Sequence, residues 1–599
     1  MSPRARHLKL SACIASALIT AGCASGPGKP AVVAGPPSAN DTNVFCEAAS
    51  AEMTIPVGSA FPDGTLVRDF YTGNTARVID GEVTMAPGAN AEGLVLLESV
   101  DAKAGQFTWA GATVYFAVTD RFANGRTDND LNYGRQPDGK DEIGTFHGGD
   151  FVGLTRKLDY LSELGVSALW ITPPFEQMHG WVGGGDRGDF QHYGYHGYYA
   201  LDFTVPDANF GTREEFRTLV QEAHKRGIRV VMDVVMNHPG YSTLQDMQTF
   251  RFGSLPERWG NWQPESWENF HAYHALIDYD HPDWRNWWGK DWVRAGIADY
   301  DTPPNASVDA QRGSLAFLPD FKTEAEQPVD LPVFLRNKAS SRSQQLDNAT
   351  VRDYLITWLT DWVREFGVDG FRVDTAKHVE PEAWLALKQE AQAALDDYRS
   401  RNPDADLPAE EFWMVAEVFP HSVRRTAYFD AGFDAVINFD LQEEARAGAQ
   451  CLPAMEPIYS DYASKLHGEE NFNVMSYISS HDTKLFSQIA GNDPALQRRA
   501  AAALMLTPGA VQVFYGDESG RPFGATGSDP HQGTRSDMNW NAIENGEVSD
   551  ILEHWQKLGQ FRERHPAIGA GEHRLISQQP YVFSRTNGDD RVVIAFGKK

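Results

Sequence analysis

Short apolar stretches alternate with helical periodicity along most of this chain. "TVYFAVT" (113–119) reads as a buried strand. Phe151, Leu154, Leu158 and Leu161 then mark one face of a helix. "ALWIT" (168–172) is the next strand. Thr212 stands at an N-cap position with Glu215 three residues on, the spacing of a capping box. Phe216, Leu219, Val220 and Ala223 follow at i, i+3, i+4, i+7. "IRVVMDVV" (228–235) is a third strand. Leu355, Trp358, Leu359 and Trp362 form another helical stripe leading into "DGFRVD". "WMVAEV", "AVINF", "VMSYIS" and "VQVFYG" complete eight strands, with helices between most of them. Such alternation implies a parallel sheet with helical crossovers, and eight units favour a closed (β/α)8 barrel in the α/β class.

The ends follow another pattern. Residues 43–108 carry short apolar stretches between Gly and Pro turns, as in "GTLVRDFYTG" and "GLVLLESV", and read as a β-rich accessory domain. Residues 566–599 hold "YVFSRT" and "RVVIAF" and read as a short C-terminal β domain. The barrel takes 109–565, interrupted by an insertion at 239–350 that is rich in Trp, Asp and Pro. Residues 23–42 form a Pro/Gly-rich tether.

Residues 1–22 are a targeting segment: Arg4, Arg6 and Lys9 precede the apolar run 10–21, too short to cross a bilayer as a mature helix. "TAGC" (20–23) resembles a bacterial lipoprotein cleavage site, with Cys23 as the lipidated residue. An ordinary secretory signal is the other reading. Both export the chain, and the lipoprotein reading places it in the periplasm, anchored to the outer membrane. Of four cysteines, Cys46 and Cys451 remain for the mature body. An oxidising compartment allows these two to pair or to stay as free thiols.

Composition narrows the partners. The 599 residues include 42% hydrophobic positions and 16 Trp, a globular composition for most of the chain. The formal net charge of -29 disfavours nucleic acid and anionic lipid surfaces. A neutral ligand or a bound cation suits it better.

In a barrel, reactive groups stand at the C-terminal ends of strands. The third strand ends with Asp233, Asn237 and His238; the fourth brings Arg372 and Asp374; the fifth brings Glu417; the seventh ends with His481 and Asp482. An Asp after a strand is usually a helix cap, but capping does not account for several loops carrying carboxylates or imidazoles at equivalent places. Glycosidic bond cleavage needs one protonated carboxyl and one ionised carboxylate. Arg372, two residues before Asp374, points to the same side of the strand and would hold Asp374 ionised. Glu417 is the natural acid.

"DVVMNH", "GFRVDTAKH", "AEVF" and "SYISSHD", in that order, resemble the four main motifs of the α-amylases of glycoside hydrolase family 13. "LPDF" (318–321), "WITPPFE" (170–176) and "TPGAVQVFYGDE" (507–518) resemble accessory motifs of that family. "FHGGD", "HGWVGGG" and "FGATGSDPHQGTRSDMNW" resemble the periplasmic α-amylases of Gram-negative bacteria. The resemblance implies a maltodextrin or starch-type substrate, with Asp374 as nucleophile, Glu417 as acid and then base, and Asp482 gripping sugar hydroxyls. It implies that Arg372 orients Asp374, and that His238 and His481 bond the sugar at the cleavage position while Tyr198 stacks on it. Lys377 and His378 would reach the leaving-group side. It also implies a structural Ca2+ held by Asn237, Asp320 and the carbonyl of His378, all oxygen ligands. "DRFANGRTDND" resembles a second Ca2+ loop, with Asn124, Asn129, Asp130 and Asp150 as ligands and Arg126 where the pattern has another. Trp259, Trp262 and Trp267 in the insertion read as core. Two other functions share these residues: a 4-α-glucanotransferase, which excludes water from the intermediate, and a non-catalytic glucan-binding lipoprotein.

Overall fold

The computed structural model describes residues 45–253, 281–296, 301–405, 407–469 and 471–599. The targeting segment, Cys23, the tether and Trp259, Trp262 and Trp267 lie outside them.

Eight parallel strands close into a barrel: β1 (Thr113–Ala117), β2 (Ala168–Ile171), β3 (Arg229–Val234), β4 (Gly370–Val373), β5 (Trp413–Ala416), β6 (Ala435–Asn438), β7 (Asn473–Tyr477) and β8 (Ala510–Phe514). Each coincides with a stretch predicted as strand, β7 and β8 starting one residue earlier than predicted. They are almost wholly buried, so they read as continuous apolar runs rather than alternating ones. The β3–β4 register sets Asp233 opposite Arg372, and the β4–β5 register sets Val373 opposite Ala416. These pairings bring the chemical groups at the strand ends to one level.

The helices follow local rules. Arg213–His224 starts at a capping box in which Thr212 accepts from the Glu215 N–H and Glu215 bonds back. Its predicted face is buried at Phe216, Leu219, Val220 and Ala223. Val351–Phe366 is capped by Thr350 and Asp353 and stops at Gly367, whose φ of 76° lies in the left-handed region. A Cβ at Gly367 would sit 2.2 Å from the Tyr398 ring, so packing demands glycine there as well. The helix predicted through 151–161 breaks at Lys157 into Phe151–Arg156 and Leu158–Glu163, yet Leu154, Leu158 and Leu161 all remain buried.

The segments 43–108 and 566–599 share one six-stranded antiparallel sheet. Its order is Glu572–Gln578, Tyr581–Asn587, Asp590–Phe596, Leu94–Ser99, Leu66–Asp69, Thr75–Arg77. The central strand shows why. Leu94 and Leu96 pack into the main core, while Val95 and Leu97 pack into a second, smaller core with Val582 and Val593. Buried on both faces, this strand needs a neighbour along each edge. A disulfide joins Cys46 to Cys451, at the C-terminal end of helix Leu441–Gln450.

In the insertion, Thr243 caps helix Leu244–Phe250, and Val293–Arg294 pairs with Asp320–Phe321. Trp284, Trp287, Trp288 and Trp292 are buried there. Trp288 and Trp292 pack on Trp358 of the barrel's outer ring, which ties the insertion to the barrel.

Candidate active site

Arg372 is the centre of the barrel mouth. It is 1% exposed, and its Nη1 donates to Asp374 Oδ1 at 2.8 Å and to both oxygens of Asp233 at 3.2 Å. Its Nη2 lies 3.4 Å from Glu417 Oε2. One guanidinium therefore faces three carboxyl groups. The i, i+2 spacing on β4 turns Arg372 and Asp374 to the same side, and the β3 register supplies Asp233.

Asp233, named among the strand-end groups in the sequence, is a member of this cluster. It accepts from Trp170 Nε1 at 3.1 Å and from the Tyr198 hydroxyl at 2.8 Å. Burial pushes its carboxyl up to about 7, with Arg372 opposing and the Asp374 charge adding.

Asp374 and Glu417 are a coupled pair. Burial raises both above the ordinary carboxylate range; Arg372 opposes this, and the Asp482 charge adds to it. Each carboxylate disfavours ionisation of its neighbours. Asp374 has the closer guanidinium contact, 2.8 Å against 3.4 Å, so Arg372 favours ionisation at Asp374 more than at Glu417. The Thr375 backbone N–H donates to Glu417 Oε2 at 2.8 Å, which leaves Oε1 free of that bond.

Asp482 sits open to the mouth. Burial alone would raise its carboxyl, but His481 and Arg535 hold it well below the ordinary range. His481 Nε2 is 2.9 Å from Oδ2, and Arg535 Nη2 donates to Oδ1 at 2.8 Å. Burial lowers the pKa of His481, with the Asp482 charge opposing. Arg535 lies in "GTRSDMNW", where no spacing rule singles it out.

The other predicted sugar contacts gather here with differing attachments. The Tyr198 ring lies parallel to His481, centroids 5.6 Å apart. His238 is buried, which lowers its pKa to about 4, and its Nδ1 faces the Pro239 carbonyl at 3.2 Å. A carbonyl only accepts, so Nδ1 carries the proton and Nε2 is left as an acceptor. Lys377 donates to the Phe419 carbonyl at 2.9 Å, and His378 Nδ1 donates to the Ala310 carbonyl at 2.6 Å, reaching the insertion.

Asn237 and Asp320 are held together because the Phe321 N–H donates to the Asn237 carbonyl at 2.9 Å. Asn237 Oδ1 and Asp320 Oδ1 are both buried without a hydrogen-bond partner, while Asp320 Oδ2 accepts from Arg294 at 2.8 Å. Two buried, unpartnered oxygens suit a hard cation. Among the described residues no group of three or more His, Cys, Asp or Glu forms a cage, so any such site must draw on amide and backbone oxygens.

Asn124, Asn129, Asp130 and Asp150 also come together; Asn129 Oδ1 is buried without a partner, but the carboxylates largely bond to the protein itself. Asp150 caps helix Phe151–Arg156 by accepting from Gly153 N at 2.6 Å, and accepts from Gly125 N, Arg126 N and Asn129 Nδ2 as well. Asn124 Nδ2 donates to Asp130 Oδ1 at 2.9 Å. Arg126 pairs with Asp128 and Glu215.

Residues 116–568 match the family described as "Alpha amylase, catalytic domain". The chain is 52% identical to the "Periplasmic alpha-amylase" of Escherichia coli (strain K12), over 91% of this chain and 80% of that protein. It is 26% identical to the "Maltogenic alpha-amylase" of Bacillus acidopullulyticus, over 82% of this chain and 70% of that one. Among solved structures, the alpha-amylase from Geobacillus thermoleovorans complexed with acarbose superposes with a TM-score of 0.54 at 25% identity, covering 82% of this chain and 87% of that one.

Proposed function

Because the chain belongs to the alpha-amylase family of glycoside hydrolases, we propose that its barrel mouth hydrolyses α-1,4-glucosidic bonds of maltodextrin or starch-type glucans with retention of configuration. The observation that carries this reading is the Arg372 fork, 2.8 Å from Asp374 and 3.4 Å from Glu417, which favours Asp374 as the ionised partner and Glu417 as the acid.

Glu417 gives its Oε1 proton to the glycosidic oxygen as the bond to the leaving sugar breaks. Asp374 Oδ bonds to the anomeric carbon from the other face, forming a covalent glycosyl-enzyme. Glu417, now ionised, takes a proton from water, whose oxygen displaces Asp374. Two inversions give net retention. Asp482, held ionised by Arg535, accepts hydrogen bonds from sugar hydroxyls, and His238 Nε2 accepts another. Tyr198, fixed by its bond to Asp233, offers a ring for the sugar face, and Lys377 and His378 line the leaving-group side.

The orphaned oxygens of Asn237 and Asp320 support a Ca2+ site there, with the His378 carbonyl as a further ligand. Such an ion supplies cross-linking between barrel and insertion rather than chemistry. The second loop fits a cation less well, since Asp150 already accepts four donors. Export to the periplasm is supported by the name of the Escherichia coli relative, and anchoring through Cys23 by the "TAGC" motif. We keep the barrel at 109–565 with its insertion at 239–350 and the tether at 23–42, while strands of the terminal segments 43–108 and 566–599, read as two β domains, share one sheet.

The test follows reducing ends and product lengths on soluble maltodextrin, for wild type and Glu417→Gln. Loss of the acid is expected to cost roughly 100- to 10,000-fold in kcat. Reshuffled lengths without new reducing ends would mark a glucanotransferase. No reaction in wild type would leave only glucan binding.

A further inference from the structure

The loop that carries His481 and Asp482, residues 478–485, runs from β7 to helix Phe486–Ile489. Its own bonds are long. Ser480 N donates to Lys484 O at 3.3 Å, and Asp482 N to Ser480 Oγ at 3.3 Å. Shorter bonds reach it from other elements. Gln442 Nε2 donates to Ile478 O at 2.8 Å and to Lys484 O at 3.1 Å, so one amide nitrogen spans both limbs of the loop. Both partners only accept, which turns the nitrogen toward the loop and commits both of its protons. Ser479 Oγ accepts from Phe486 N at 2.8 Å and donates to Asp517 Oδ1, while Gln512 Nε2 donates to Ser479 O at 3.0 Å.

Gln442 is 6% exposed and is the second residue of helix Leu441–Gln450. That helix is a firm base. Leu441, Ala445 and Ala449 pack into the main core, and its far end meets the Cys46–Cys451 disulfide. Burying an amide is costly unless its donors are used. Here both are used on a loop whose exposed tip carries a carboxylate. That carboxylate is held separately, by His481 and Arg535.

We propose that Gln442 is a positioning residue for Asp482. Holding the two limbs of the loop together fixes where the Asp482 backbone stands over the strand ends, and Arg535 then sets the direction of its carboxylate. A group that grips sugar hydroxyls in the transition state must be placed to within about 0.5 Å. Opening the loop therefore weakens the transition state more than the bound substrate. The inference rests on the α-glucan reading of the mouth and deepens it.

Gln442→Met keeps the length and removes both donors. Gln442→Glu keeps the shape, and its ionised form repels both carbonyls, so it carries the test if the methionine variant does not fold. Each is assayed on soluble maltodextrin, alone and combined with Asp482→Ala, beside thermal scans. In the otherwise wild-type chain, kcat should fall roughly 10- to 100-fold with KM within about two-fold. In the Asp482→Ala background the same change should cost less than about two-fold, because the group it places is gone. A fall of equal size in both backgrounds would mean that Gln442 acts on the site by another route. A lower Tm with kcat unchanged would make it a structural tie alone. Either outcome overturns the positioning role and leaves the catalytic reading standing. A wild-type chain that forms no new reducing ends overturns both.

Discussion

Thr375 gives its backbone N–H to Glu417 Oε2 at 2.8 Å from a left-handed conformation, φ 50°, that a β-branched residue seldom adopts. The conformation costs roughly 1–2 kcal/mol. It persists because neighbouring bonds over-determine it: Glu417 N donates to Val373 O at 2.9 Å and Ala376 N to Glu417 O at 3.1 Å. The strain thus sits where nucleophile and acid are joined.

Thr375→Gly relieves the strain but frees the donor. Glycine also loses more freedom on folding, by about 0.5–1 kcal/mol, so the two terms largely offset and Tm should move little. kcat should fall, roughly 10- to 100-fold, as Glu417 loses its fixed orientation. The N–H favours the ionised form of Glu417, so loosening it raises the acid's pKa. The alkaline limb of the kcat/KM profile should therefore move to higher pH. A purely structural role for Thr375 would lower Tm and leave that limb in place.

Arg372→Ala leaves Asp233, Asp374 and Glu417 without their common counter-charge. Breaking a buried pair this way costs about 3–5 kcal/mol. Their folded-state pKa values, already raised, rise further. A raised carboxyl is stable in the fold only when protonated, so the deficit grows with pH. Thermal scans should show the gap to wild type widest near about pH 8 and narrowest near about pH 5. A gap independent of pH would remove the three-carboxylate account of Arg372.

Cys46 and Cys451 close a loop of 405 residues in sequence separation. Cys46→Ser or reduction should cost about 2–5 kcal/mol. The loss should appear first as detachment of the segment around Cys46, where Cys46 N bonds Gln450 O and Ala49 N bonds Gly597 O. Limited proteolysis with and without reductant reads this directly, and an unchanged digestion pattern would argue against a bracing role.

Removal of Ca2+ tests the pair Asn237 and Asp320. A site filled at about 100 times its Kd adds about 2.7 kcal/mol. Chelation should lower the wild-type Tm, and added Ca2+ should restore it. Asp320→Ala should start from a lower Tm and respond to neither treatment. A wild-type Tm indifferent to chelator, with no metal in elemental analysis, would leave the two oxygens as unpaired groups and nothing more.

The barrel was legible because parallel strands buried on both faces cannot alternate, and eight apolar runs stood out between amphipathic helices. Asp374, Glu417 and Asp482 were legible because strand ends are where sequence order maps onto space. So was Asp233, at the end of the third strand, although its bond to Arg372 depends on register. Arg535 was not, because it comes from an irregular loop. The joint terminal sheet was hidden too, since pairing of Leu94–Ser99 with Asp590–Phe596 spans nearly the whole chain and no local periodicity reports it.

That sheet carries its own pH dependence through His565. Its Nε2 lies 3.0 Å from Glu98 Oε2 and its Nδ1 lies 2.7 Å from Asp590 Oδ1, in a buried setting. Burial alone would lower the pKa of His565, but the bonds to Asp590 and Glu98 outweigh it, and the pKa is raised. Burial would raise Glu98, but His565, Arg564 and Arg68 pull it down to about 2 from 4.5. The signs then set a window. The His565 contribution is present below its unfolded pKa of about 6.5 and is lost as pH climbs through its higher folded value. The Glu98 contribution is present above about 4.5 and is lost as pH falls toward 2, an effect on the order of 3 kcal/mol. Both act together only between about 4.5 and 6.5, so Tm should peak there. His565→Gln should lower the peak and flatten its alkaline side, because glutamine cannot carry the charge between Glu98 and Asp590. If the variant keeps the wild-type alkaline slope, another group sets it and His565 is only a spacer between strands.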